Sequence, residues 1–197
     1  MSLTTLGLKL PTDPRWVNLA EMDLGEILTD HAYCEQKAAT SCITIIQKFP
    51  DFEDVVRELA PIVTEEWGHF RLVLKELDKR GLHLGHQRKD EYVNALMKFC
   101  KKDGSRQEAL VERLLAFALI EARSCERFRL LSLDIAEDDL KEFYRGFMIA
   151  EAEHYKMFLR LAKKYGGEEA VSKRWQEYLH FEVELLKTIE TRGDRMH

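Results

Sequence analysis

Residues 140–161 read LKEFYRGFMIAEAEHYKMFLRL and set Leu140, Tyr144, Phe147, Glu151, His154, Phe158 and Leu161 three and four positions apart. That alternation is the apolar stripe of a helix packed in a bundle. At mid-stripe the apolar pattern gives way to Glu151 and His154. Three residues is almost one helical turn, so both side chains face the same way. Working outward, three more segments repeat the arrangement. One reads Leu24, Leu28, His31, Glu35, Ala38, Cys42, Ile45; another Val55, Leu59, Ile62, Glu66, His69, Val73; a third Leu110, Leu114, Phe117, Glu121, Ser124, Phe128, Leu131. Each stripe carries one glutamate at its middle.

A buried, uncompensated carboxylate costs several kcal/mol, so four of them call for a shared partner, and a cation is the simplest one. The depths agree. Glu35 lies about fifteen residues before Pro50 and Glu66 about fifteen after it, and Glu121 and Glu151 are spaced similarly about Ala136. In an antiparallel helical hairpin, equal distances from the turn put two residues at one level. Each hairpin therefore delivers a Glu opposite a Glu-x-x-His. One glutamate from each of two helices with Glu-x-x-His from each of two others is the di-iron or di-manganese carboxylate pattern of helical bundles. The expected metal ligands are Glu35, Glu66, His69, Glu121, Glu151 and His154.

The rest of the chain fits an all-α fold. With 197 residues, 45% hydrophobic and 33% charged, it has the length and balance of one globular domain. Four prolines and ten glycines favour long helices over many short strands. Helices are expected from Asn18, with Glu21 three residues on, to about Lys48; from Phe52 to Lys79, with a kink at Pro61; from Arg106 to Leu133; from about Asp138 to Tyr165; and from Glu168 to Thr191. A short helix from Lys89 to Lys101 is expected within the connection 82–105, which reads as the crossover of a ferritin-like four-helix bundle. The core bundle would span about 18–165, with one additional C-terminal helix. Met1 to Trp16 has no apolar signal-peptide core and the longest apolar run, Leu114–Ile120, is too short to span a bilayer, so a cytoplasmic protein is expected. Cys34, Cys42, Cys100 and Cys125 lack CxxC spacing and read as reduced core residues. A formal charge of −5 argues against general nucleic-acid coating but leaves room for a local basic patch.

Other acids and histidines carry less. Glu177 and His180 also match Glu-x-x-His, yet they sit with Glu184 and Lys187 on a solvated face and have no upstream glutamate partner. Glu65, Glu126 and Glu153 rotate off the stripes; surface placement is expected, with Arg123 or Arg127 as pairing partners for Glu126 and Glu153. His31, one turn before Glu35, reads either as a residue supporting that ligand, as a core histidine or as a ligand itself. Phe117, Phe128, Phe147 and Phe158 read as core, and Tyr144 and Tyr155 carry no assigned role.

Four strings are more specific than the spacing requires: DHAYCEQKAA at 30–39, EEWGHF at 65–70, IEARSCERF at 120–128 and EAEHY at 151–155. They resemble the MiaE family of tRNA hydroxylases over roughly residues 18–165. The resemblance implies a ferritin-like fold and a non-haem di-iron centre on the same six residues. It also implies O2-dependent hydroxylation of the isopentenyl group of 2-methylthio-isopentenyladenosine beside the tRNA anticodon. No flavin or nicotinamide fingerprint occurs, so electrons are expected from a separate reductase protein. Basic residues at Lys98, Lys101, Lys102 and Arg106, and at Arg160, Lys163, Lys164, Lys173 and Arg174, are candidates for meeting tRNA phosphates at one end of the bundle, or are ordinary solvated faces. The alternatives are an iron-handling ferroxidase, which would assemble into a large shell where a monomer or small homo-oligomer is expected here, a peroxide-scavenging di-iron protein, and a metal-free helical scaffold.

Overall fold

A computed structural model describes residues 5–197; the first four residues of the expected irregular arm lie outside it. After a short 3-10 turn come α1 (Arg15–Glu21), α2 (Leu24–Lys48), α3 (Glu53–Lys79), α4 (Glu91–Phe99), α5 (Arg106–Asp134), α6 (Asp138–Gly166) and α7 (Glu168–Thr188), with no strand among the described residues. None of these helices is long and apolar enough to cross a membrane.

The expected first helix is two helices. Asn18 lies inside α1 and Glu21 ends it, while the Asp23 side chain accepts from the Glu26 backbone N–H at 3.1 Å and starts α2 afresh. Asp23 satisfies an N–H that the first turn leaves without a helical partner. At the other end the helix stops at Thr188, three residues early, because Ile189 is extended. The remaining elements fall close to expectation. α4 is capped by Asp90 and α5 by a reciprocal Ser105–Glu108 capping box. Pro61 lies within the continuous helix α3.

The chain divides into two compact units. One holds residues 19–89 and 192–196 and is built on the hairpin of α2 and α3. Phe49 and Phe52 pack edge to face across its turn, with rings 6.2 Å apart. Its apolar interior includes Ile27, Leu28, Ala39, Cys42, Ile45, Val55, Leu59, Phe70, Val73 and Leu77. Burying each of the large aliphatic side chains contributes roughly 1.5–3 kcal/mol. α3 ends at Gly81, whose φ of 66° lets Leu82 N–H return to the Leu77 carbonyl at 2.9 Å.

The second unit holds the chain before residue 19 together with 90–191 and His197. It is built on the long α5–α6 hairpin, against which α4 and α7 pack. All the stripe residues of α5 and α6 are buried, from Leu110 to Leu131 and from Leu140 to Leu161. α5 is enclosed on more than one side, since every residue from 121 to 128 is buried.

Candidate metal centre

In the α2–α3 unit the register of the two stripes brings Glu35, Glu66 and His69 together, with one ligand atom of each within 4.8 Å of the others. His69 Nδ1 lies 3.2 Å from Glu35 Oε2 and 3.5 Å from Glu66 Oε2. Both glutamates are almost wholly buried and His69 partly so. Burial alone would lower the His69 pKa, but the two carboxylates outweigh it and raise it to about 10. One turn before Glu35, fully buried His31 sets Nε2 2.9 Å from Glu35 Oε1. Burial first, and the neighbouring His69 second, hold His31 well below its ordinary pKa, so it is neutral at pH 7.

The α5–α6 unit holds a matching triad of Glu121, Glu151 and His154, again with ligand atoms within 4.8 Å. His154 Nδ1 lies 3.2 Å from Glu151 Oε2. The apolar wall is aromatic on both sides of the triad along the axis. Phe117 and Phe158 meet at 5.8 Å, and Phe128 packs on Phe147 at 5.4 Å and on Tyr144 at 5.8 Å. Cys125, beside these residues on α5, is buried and points at the Met148 carbonyl. Burial and the charges of Glu151 and Glu126 push its thiol up to about 12, so it is no nucleophile.

A first-row divalent ion binds nitrogen and oxygen donors at roughly 2.0–2.2 Å, so donors around one ion lie within about 4 Å of each other. Each triad is close to that span, buried, and made of two carboxylates and an imidazole. This donor set suits iron or manganese.

The other acids sort as follows. Glu65 is exposed, and Glu153 is exposed and pairs with Lys156 at 2.6 Å. Glu126 departs from its expected surface position. It is buried, paired with Arg123, and accepts from the Thr12 backbone N–H at 3.0 Å and hydroxyl at 2.7 Å. Fully buried Arg123 also donates to Glu182 at 2.9 Å and to the Leu10 carbonyl at 2.9 Å, and the Tyr92 hydroxyl donates to Glu182 at 2.7 Å. The Arg123–Glu126 pair is one that the sequence suggested; the links to Glu182, Tyr92 and Thr12 are not, and the available signal was the Leu114–Ile120 run, apolar on every face of its helix and therefore wrapped. Glu177 and His180 are on the solvated face as expected, bound to Arg174 and to Lys9. Of the basic residues, Arg174 is drawn inward onto Glu112 at 2.8 Å.

Comparison with known proteins places the chain in context. The model of the MiaE family, described as tRNA-(MS[2]IO[6]A)-hydroxylase, matches residues 3–197. A tRNA 2-(methylsulfanyl)-N(6)-isopentenyladenosine(37) hydroxylase of Pseudomonas putida is 32% identical over 90% of this chain and 85% of its own. The protein of the same description from Salmonella typhimurium is 25% identical over 91% of this chain and 83% of its own. Among solved structures, a Synechococcus protein described as having aldehyde deformylating oxygenase activity superposes with a TM-score of 0.90 at 30% identity, over 96% of this chain and 94% of that one. The fold is thus the all-α, ferritin-like one anticipated from the four stripes.

Proposed function

The chain belongs to the MiaE family of tRNA hydroxylases, and we propose on that footing that it is an O2-dependent di-iron monooxygenase acting on 2-methylthio-isopentenyladenosine in tRNA. The observation that carries this reading is the pair of buried triads, Glu35–Glu66–His69 and Glu121–Glu151–His154, each a glutamate joined to a Glu-x-x-His. We take the six to face one centre holding two iron ions, as the matched depths of the hairpins suggest.

Iron bound there would supply the redox chemistry with O2, drawing electrons from a separate reductase. The chain's own residues do the rest. Four carboxylates balance the charge of two divalent ions, and His69 and His154 add one nitrogen donor to each triad. Phe117, Phe128, Phe147 and Phe158 keep water away and offer an apolar surface to a prenyl group. Neutral His31 holds the carboxylate of Glu35 in one orientation.

For the tRNA itself, Lys101, Lys102, Arg106 and Lys164 are exposed. The cleft of about 270 Å3 that Lys101 lines also carries Asp103, Glu108 and Glu112, so phosphates would meet the exposed lysines outside it. A tRNA substrate makes the cytoplasm the natural location, and the reading needs no shell-forming oligomer.

The test is nucleoside mass spectrometry of tRNA from a host that makes 2-methylthio-isopentenyladenosine but cannot hydroxylate it. Expression of this chain is expected to add one oxygen to that nucleoside, and Glu121→Ala to abolish the addition. No added oxygen from soluble, iron-containing protein would refute the tRNA assignment. The likeness to the Synechococcus protein supplies a second reading, oxygen-dependent deformylation of an aldehyde; incubation with an aldehyde and a reductant, and a search for the product one carbon shorter, separates the two.

A further inference from the structure

Trp67 stands in the chain between Glu66 and His69, and its side chain is 47% exposed. Its ring lies on Phe70, centroids 4.9 Å apart and planes 29° from parallel. Phe70 is itself buried, so the indole is propped on the protein from one side and open on the other. Arg71 and Lys75 follow at i+4 and i+8 on the same face of α3, both exposed. They lie about 6 and 12 Å further along the axis.

The two cations are uncommitted, a state they share with exposed Lys98, Lys102 and Lys173. Other exposed basic residues are neutralised by an acid one turn away: Arg57 by Glu53, Lys156 by Glu153, Lys187 by Glu184. Among the described residues Arg71 and Lys75 make no ion pair, and Asp78, one turn beyond Lys75, does not reach it. An exposed, propped indole followed by two uncommitted cations in line has the composition of a single-stranded nucleic-acid platform, where a base stacks on the ring and phosphates meet the charges.

Resting on the tRNA reading above, we infer that the Trp67–Arg71–Lys75 face of α3 binds the anticodon loop, with one unpaired base stacked on Trp67 and the adjoining backbone phosphates on Arg71 and Lys75. Trp67 is one residue from Glu66 and two from His69, within about 3 Å of their height along the helix. A base held there fixes the loop at the level of the triad. The prenylated nucleoside is then presented at the depth where the ligands sit.

The experiment is titration of the iron-loaded protein with a synthetic anticodon stem-loop carrying the prenylated adenosine, read by tryptophan emission and by anisotropy of a labelled loop. Trp16 and Trp175 are buried, so quenching on binding reports Trp67. Wild type is expected to bind with quenching. Trp67→Ala should weaken binding roughly 5- to 150-fold and abolish the quench, as loss of one stacked base does. Trp67→Phe should keep most of the affinity. Arg71→Glu with Lys75→Glu should weaken binding and flatten its dependence on log salt by about 1 to 2 units. Leu72→Ala, equally exposed on the neighbouring face, should bind as wild type does. Wild-type affinity in both Trp67→Ala and the double reversal would overturn the inference while leaving the hydroxylase reading intact. The inference also falls if those variants bind the loop normally but lose turnover with the electron donor, since the face would then belong to that protein. Failure of wild type to bind any stem-loop would overturn the tRNA reading and this inference together.

Discussion

His31 Nε2 lies 2.9 Å from one carboxylate oxygen of Glu35, while the other oxygen faces His69 Nδ1 at 3.2 Å. Glu35 is thereby flanked by an imidazole on each side within its own hairpin. Groups that orient a ligand in this way commonly carry 10- to 100-fold in metal affinity. His31→Ala is expected to lower iron affinity by about that factor, and His31→Gln, which can still donate to Glu35, by less. Iron per chain against free iron concentration reads both.

In the metal-free protein His69 supplies one positive charge against the two buried carboxylates of Glu35 and Glu66, so one of them opposes folding until a metal cation joins it. Glu66→Gln is therefore expected to raise the melting temperature of chelator-treated protein and to lower that of the iron-loaded protein. A ligand at about a hundred times its Kd stabilises by roughly 2.7 kcal/mol, and the variant forfeits much of that. Calorimetry with and without chelator checks the reversal of sign.

The raised pKa of His69 gives a pH dependence of definite direction. With a folded value of about 10 against an ordinary 6.5, the protonated imidazole is favoured by folding. Its contribution to the metal-free protein is full below about pH 6.5 and is lost as pH rises through 10. The melting temperature of chelator-treated protein should fall across that window, and His69→Gln should flatten the fall. The same proton must leave before iron binds, so iron uptake should release protons and tighten as pH rises.

Arg123 is buried with Glu126 and Glu182 on either side of it. Arg123→Met strands both carboxylates and is expected to cost about 3–5 kcal/mol in urea unfolding. Adding Glu182→Gln should return part of that loss, because the two positions are directly coupled.

Lys101, Lys102 and Lys164 changed together to Glu should weaken tRNA binding and reduce its salt dependence, without changing iron content. Unaltered affinity would mean that these are ordinary solvated residues.

The two halves of the molecule were not equally legible. In α5 and α6 each stripe position from Leu110 to Leu161 is buried, because a helix packed on several sides leaves its 3.6-residue period nothing to contradict. In α3 the buried face is shifted: Phe70 is in, while Ile62 and His69 are partly open. An amphipathic helix with a wide apolar face can turn by a residue without breaking its pattern. The start of α2 was misplaced since Asn18 with Glu21 and Asp23 with Glu26 are both capping sequences, and spacing alone does not rank them. Each Glu-x-x-His was legible because it lies within one helix, and the glutamate opposite it because equal distances from a turn fix its level in the hairpin. The Arg123–Glu126 pair, three residues apart, was legible too, but the links of Arg123 to Glu182 and Thr12 were not, because those lie 59 and 111 residues away.

That last separation also bears on the order in which the protein is made. Leu8, Trp16 and Val17 are buried, and Leu10 and Thr12 are tied to Arg123 and Glu126. On the ribosome, at 5–20 residues per second, those partners emerge roughly 5 to 20 seconds after the arm. The arm must wait, apolar side chains bare, for the middle of α5. The arm is thus made well before the surface it folds onto, which leaves it exposed to chaperones in the interval.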